Sequence, residues 1–419
     1  MYQQSLYPSS IAGGVHWTPN HSAAQDRLTN FLPYAAVAYA KGRNYDLGPE
    51  NRSNVSALSP WIRSRLLLET DVIQQVLKTH TAQDADKFVQ EVLWRGYFKG
   101  WLEQHPQMWA RYKKGVVQQL DRTETDASLA SRYNDALTAR TGIDCFDAWT
   151  SELLLTGYLH NHARMWYASI WVFTLGLPWE LGADFFLRHL LDGDPASNTC
   201  SWRWVTGLHT KGKIYLAQAS NIATYTEQRF NPDGLLAESA SALQEEPQKY
   251  QPLRFDSPNL QGIRVGLLIT EEDCSAHRLD FKGDVTAVLA LTNFTQRSIL
   301  TSPPLVEDFT TQAVASAAER AAQTLSCPVS TKASDDWHEA LAEWASSNQL
   351  DVIITARVTQ GPVRKRLFQA IEDFKVELIE VTRHYDQLVW PESKAGFFRL
   401  KKKIPKILAS LTQHEAPKN

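Results

Sequence analysis

The residues best suited to chemistry in this chain lie close together. Asp192-Gly193-Asp194-Pro195-Ala196-Ser197-Asn198, with Trp202-Arg203-Trp204 behind it, brings two carboxylates, an amide and two indoles into one short stretch. Gly193 allows a backbone angle that other residues resist, Pro195 suits the first position of a helix, and Asp194 is placed to cap that helix. Asn198 and Trp202 then share a helical face, and Trp204 turns toward another. Carboxylates and an amide can hold a polar ligand, and indoles can pack or relay electrons. The plain alternative is a capped core helix.

Three further clusters carry functional side chains. Val55-Ser56-Ala57-Leu58-Ser59-Pro60 reads as a helix start, where hydroxyls and free amides can receive phosphate oxygens or simply cap. Phe88 to Trp101 has helical spacing, with Glu91, Trp94, Arg95 and Phe98 on one face and its neighbours. His160-Asn161-His162-Ala163-Arg164-Met165 offers a His-x-His pair, but the two rings point to different helical faces and no carboxylate or cysteine joins them. No metal site is expected.

Taken together these stretches resemble the photolyase/cryptochrome family. The first matches its flavin-binding signature, Val55–Pro60 its Thr-Ser-Arg-Leu-Ser-Pro phosphate segment, Phe88–Trp101 its Asn-Glu-Leu-x-Trp-Arg-Glu-Phe-Tyr helix, and Asn161–Met165 its His-Asn-Arg-x-Arg-Met motif. Thr141-Gly142 and Asp147-Ala148 also fit the family pattern. The resemblance covers residues 25 to 232. It implies an all-α domain holding one U-shaped FAD. Tyr39, Ser56, Leu58 and Ser59 would face the diphosphate, and Asp192 and Asp194 the ribose or adenine side and the isoalloxazine edge. Arg95 and Arg164 would compensate their charge, and Asn198 would sit beside flavin N5 and help set the redox state that persists.

The implied activity is blue-light-driven repair of cyclobutane pyrimidine dimers by an electron from reduced FAD. Glu91 would stabilise the dimer radical anion, Trp94 and Trp204 would flank a flipped-out lesion, and Asn161 and Met165 would complete the pocket. Trp202 and Trp179 would be the inner and middle members of an electron-relay triad. The alternatives are a cryptochrome-like photoreceptor whose flavin is photoreduced without repair, and a flavoprotein that does not use light.

The departures from the pattern are specific. Val55 and Ala57 replace the Thr and Arg of the phosphate segment, so the grip is expected to be weaker or to come from another residue such as Arg52, Arg63 or Arg65. Gly96 stands where an acidic residue is usual. His162 replaces an Arg that usually helps hold DNA. Ala136 occupies the place of the outer relay tryptophan, leaving Trp149, Trp166 or Trp171 to extend the path.

These groups need scaffolding. Leu28 to Tyr39 reads as an amphipathic helix, 41–54 as a loop, and residues 1–24 as an irregular lead-in. Residues 1–232 form the helical domain and 233–259, rich in Glu, Ser, Gln and Pro, a linker. In 260–419 the apolar runs Ile263–Ile269, Val285–Leu291, Asp351–Thr355 and Val376–Val381 alternate with helices at 311–325 and 335–346. That pattern predicts a doubly wound α/β domain. It resembles the family's antenna domain, which normally precedes the flavin domain, and so leaves room for a second antenna chromophore. Lys394 to Lys406 is basic and encloses Phe397-Phe398. It reads as a solvated surface helix or a DNA contact.

Bulk properties set limits. With 419 residues, 43% of them apolar, the chain can bury two cores. A net charge of −3 offers no overall field for nucleic acid, so damaged DNA, single- or double-stranded, would need a local patch. Four dispersed cysteines argue against a disulfide framework or zinc. The N-terminus has no charged region before an apolar core, and no long apolar run occurs, so a cytoplasmic protein outside the membrane is expected. Self-association is not legible.

Overall fold

The computed structural model describes residues 14–247, 249–255, 257–292 and 297–414. The lead-in as far as residue 13 lies outside them. Among the described residues every element before Val265 is helical, from His21–Phe31 to Ala219–Tyr225. The helix expected across Leu28 to Tyr39 is broken. His21–Phe31 gives way to a 3-10 turn, Leu32–Tyr34, and a new helix, Val37–Gly42, follows. Pro33 explains the break, because it has no N–H to donate and its ring clashes with the preceding turn.

Asp86–Gln104 is the central helix, buried along most of its length. It packs against Pro195–Val205 and against the C-terminal elements His384–Val389 and Trp390–Glu392. Two glycines permit the second contact. A Cβ on Gly96 would lie 2.8 Å from the Tyr385 hydroxyl, and one on Gly100 would lie 2.6 Å from the Trp390 Cα. The absence of a side chain at Gly96 thus has a packing reason.

The second half carries five parallel strands, β1 Val265–Ile269, β2 Val285–Thr292, β3 Val329–Ala333, β4 Val352–Ala356 and β5 Glu377–Val381, in the order β3-β2-β1-β4-β5. Register runs Gly266 to Ala287 on one side of β1 and Gly266 to Ile353 on the other. Val265, Leu267 and Ile269 face a core continuous with the helical half, whereas Leu268 and Ile353 face a separate one with Trp337, Leu341 and Val363. Helices therefore cover both faces. β3 escapes detection in the sequence because it is a half-exposed edge, Val-Ser-Thr-Lys-Ala, with no apolar run.

Strand order reverses between β1 and β4, the place where a doubly wound sheet offers a crevice at its carboxyl edge. Here that crevice is filled from the helical half. Lys99 reaches Glu272 (3.3 Å) after β1 and Thr359 (3.1 Å) after β4, and Glu103 pairs with Arg357 (3.1 Å). The described residues of 233–259 form an irregular strap over the helices. Leu243 N donates to Thr206 O and Gln251 N to Gln104 O. No helix among the described residues is long and apolar enough to cross a membrane.

Candidate functional site

A cavity of about 460 Å³ opens among the helices. Its wall contains Tyr39, Ser56, Leu58, Ser59, Glu91, Trp94, Arg95, Asn161, Arg164, Met165, Asp192, Asn198, Trp202 and Trp204. Residues scattered over more than half the helical chain thus meet in one place. Asp194 and Trp179 lie outside the wall.

The acidic turn supplies the floor. Asp192 Oδ2 accepts from Ser59 Oγ (2.5 Å) and from Arg164 Nη2 (2.9 Å), while its Oδ1 is buried without a protein partner. Asp194 lies just behind. It caps Pro195–Val205 by accepting from Ser197 N (2.8 Å), and it pairs with Lys99 (3.2 Å) and Arg95 (3.5 Å). Burial alone would raise its carboxyl, but Lys99 and Arg95 prevail and hold it far below the usual range. Asn198 Nδ2 donates to Ala183 O (2.7 Å), so the amide oxygen is what Asn198 can offer the cavity.

The loop before Ser59–Arg63 is turned inside out. Arg27 takes the carbonyls of Val55 and Ser56 (both 2.8 Å), and Trp17 takes that of Ala57 (2.9 Å). The backbone amides of Ser56, Ala57, Leu58 and Ser59 donate to no described protein group. Ala57 holds a left-handed φ of 52°, a strained conformation for a residue with a Cβ. Free amides along a cavity wall suit an anionic oxygen ligand. The arginines expected to help are committed elsewhere: Arg52 to Asp46 and Glu152, Arg63 to Glu271 and Glu272, and Arg65 to Glu69, Asp273 and Asp386. Arg43 lines the cavity instead, one turn beyond Tyr39. The four-residue spacing would have revealed it.

Asp86–Gln104 forms another wall. Arg95 is fixed by Arg63 O (2.7 Å) and Glu69 (3.3 Å), and Glu91 faces Arg43 at 3.7 Å. Trp94 is backed by Phe397, with ring planes 9° apart and centroids 3.8 Å apart. Asn161, Arg164 and Met165 ride on the helix Asn161–Ser169, capped by His160, whose Nδ1 accepts from His162 N (3.2 Å). Burial pushes His160 down to about 3. The unfolded chain binds this proton near pH 6.5 and the folded one does not, so stability falls as pH drops from 6.5 toward 3. By pH 5 this one group is expected to cost about 2 kcal/mol. Urea titrations of wild type and His160→Asn at pH 7 and pH 5 check it. The variant should lose less on acidification, and equal losses would contradict the role.

Residues 88–250 match the FAD binding domain of DNA photolyase. The helical half thus contains a stretch similar to that FAD-binding domain. The chain is 28% identical to a deoxyribodipyrimidine photo-lyase of Agrobacterium fabrum, over 46% of this chain and 39% of that protein. It is 31% identical to that of Thermus thermophilus, over 52% and 49%, and 30% identical to a chloroplastic/mitochondrial cryptochrome DASH of Oryza sativa, over 46% and 33%. It therefore spans a third to a half of the length of these relatives. Among solved structures, a Synechocystis cryptochrome aligns with TM-score 0.41 at 21% identity, over 51% of this chain and 44% of that one.

FAD suits the donor set of this cavity. The free amides of Ser56–Ser59 can take a diphosphate, and Asp192 Oδ1 and Ser197 Oγ are buried polar atoms on the cavity wall that lack protein partners. Beside the cavity, the Trp202 ring contacts Phe186 (5.2 Å) and Trp171 (6.0 Å) and rests directly on Gly182, where no Cβ would fit. Trp179 packs against Tyr112 (5.8 Å) and under Arg203 (5.9 Å). Trp171 continues to Tyr133 (6.0 Å), whereas Trp149 stacks on Trp166 and Trp166 on His162 in a separate cluster. His162 also contacts Asn44 O (2.9 Å) and Tyr215 (3.1 Å), and burial lowers its pKa. Burial works against a positive charge on this half-buried ring, which is already engaged at both nitrogens.

Proposed function

We propose that this protein repairs cyclobutane pyrimidine dimers in DNA under blue light. The observation that carries the reading is the convergence of Glu91, Trp94, Asn161, Met165 and Trp204 on the wall that also holds the flavin-side groups Asp192, Arg164 and Asn198. The chemistry that FAD supplies when bound is light-driven donation of one electron to the dimer and recovery of that electron after the ring splits. Trp94 and Trp204 offer flat faces to a flipped-out dimer, with Asn161 and Met165 beside it. Asn198 offers its amide oxygen to the flavin ring, and Asp192 and Arg164 hold opposite charges that fix the polar end. Trp202, with Trp171 or Trp179 behind it, carries electrons inward. The test of repair is loss of dimers in light by the purified protein.

Glu91 is the residue placed to steady negative charge on the dimer. Its side chain lines the cavity and keeps 40% exposure, and desolvation raises its carboxyl pKa against the opposing pull of Arg43 and Lys87. The protonated form can donate a hydrogen bond. Repair yield is expected to fall as pH rises through this titration, and Glu91→Gln, a permanent donor, should flatten the profile. Glu91→Ala should lower the yield about two- to tenfold, the worth of one hydrogen bond, with FAD content unchanged. A wild-type yield from Glu91→Ala would remove this role.

A second reading, a cryptochrome-like photoreceptor, is favoured by one feature. Arg95, Asp194, Lys99 and Glu272 form a continuous buried ion-pair chain from the cavity wall to the α/β half. A change of charge in the cavity would be felt there. This reading predicts flavin photoreduction without dimer loss. A second chromophore would lie away from the β1–β4 crevice, which side chains fill. A cytoplasmic location belongs to the same proposal.

A further inference from the structure

We infer that the basic C-terminal segment Lys394–Lys406 is the DNA-gripping rim of the flavin cavity, an inference that rests on the repair reading above. The segment is anchored to the cavity wall. Phe397 stacks on the outer face of Trp94 at 3.8 Å, and the Tyr97 hydroxyl donates to Ala395 O (2.9 Å). Trp94 therefore stands between the cavity and this segment, which is contributed by the end of the chain.

What the segment shows to solvent suits a nucleic acid. Lys394, Arg399, Lys402, Lys403 and Lys406 are exposed, and the neighbouring carboxylate of Glu392 engages Arg399, at 3.3 Å. Phe398 is 79% exposed beside them. A large aromatic left in water among cations is the pairing that binds phosphates and stacks bases in single-stranded DNA. The apolar residues of the segment and of helix Ile404–His414, namely Leu400, Ile404, Ile407 and Leu411, are buried in the fold. Phe398 is then the one large apolar side chain of the described segment left exposed, too narrow a face to enter a lipid surface, so the cations favour DNA. The rim also meets a need, since net charge is −3 and both ring nitrogens of His162 are engaged within the protein, by Asn44 O and Tyr215.

The test uses the full FAD-loaded chain and a fluorescent oligonucleotide with one pyrimidine dimer, titrated over a range of salt concentrations. K402Q/K403Q/K406Q is expected to bind on the order of 100-fold more weakly at low salt and to flatten the salt slope by about 2, the counterion release of three single-strand contacts. Phe398→Ala should weaken binding about fivefold or more with the slope unchanged. FAD absorbance and photoreduction should match wild type in both variants, reporting an intact fold. Unchanged affinity and slope in the triple variant, no oligonucleotide binding by wild type, or a preference for anionic phosphatidylserine vesicles would each overturn the inference. Its fate is separable from that of repair. Wild type that binds DNA through these lysines yet leaves dimers intact sinks repair alone, and a triple variant that binds and repairs like wild type sinks the rim alone.

Discussion

Trp202→Phe protein is expected to lose most of its flavin photoreduction, and Trp171→Phe to lose more of it than Trp179→Phe. Trp202 lines the cavity, and its indole neighbour in ring contact is Trp171, at 6.0 Å. Trp171 in turn meets Tyr133, another oxidisable ring, at 6.0 Å. Trp179 sits one helical turn from Gly182, on which Trp202 rests, but its ring partner is Tyr112. A path through Trp171 and Tyr133 would compensate for Ala136. Buried indoles replaced by phenyl leave small cavities, each costing about 1–2 kcal/mol, so all three variants should fold and retain FAD. Following flavin absorbance under blue light with a reductant separates the routes. Equal rates in wild type and Trp202→Phe would remove the relay altogether, and a larger loss in Trp179→Phe would restore the route through Trp179.

Asp194→Ala is expected to destabilise the protein by about 4 kcal/mol, because it breaks a buried ion-pair cluster and removes a helix cap. Asp194 is 1% exposed, and its loss would leave Lys99 and Arg95 without their shared carboxylate. The cap it removes belongs to the helix that presents Asn198 and Trp202, so FAD retention should fall with stability. Asp194→Asn keeps a capping oxygen and removes the charge, and should fall between wild type and Ala. The pH dependence has a definite sign. The folded carboxyl is held below its unfolded value, so its contribution is present above roughly pH 4 and is lost as pH falls. Wild type should therefore lose more stability on acidification than Asp194→Ala. Urea midpoints and FAD absorbance at neutral and acid pH check both statements, and an Ala variant as stable as wild type would show the cluster to be neutral.

Much of the cavity was legible because its residues sit in dense local patterns. The Asp192–Asn198 turn announces its own cap and helix, and the spacing of Glu91, Trp94 and Arg95 places them on neighbouring faces of one helix. What the sequence hid was long-range. Lys99, one turn beyond Arg95, reads as an ordinary helix lysine until Glu272 and Thr359 arrive from the other half of the chain. The fates of Arg52, Arg63 and Arg65 depend in the same way on carboxylates far along the chain, and no local periodicity could assign them. The docking of Tyr385 and Trp390 on Gly96 and Gly100, and of Phe397 on Trp94, is tertiary too. Four apolar runs gave the sheet, while β3 was invisible because an edge strand need not be apolar.

The central claim is light-driven repair at the flavin cavity, and the measurement that bears on it most directly is the fate of a dimer. Purified, FAD-loaded protein is mixed with an oligonucleotide containing a single cyclobutane dimer and a reductant, then divided between blue light and darkness, and intact dimer is counted. Repair predicts loss of the dimer in light only, over many turnovers, and a lower yield with Glu91→Ala. Flavin that is reduced by light while the dimer remains untouched would contradict it.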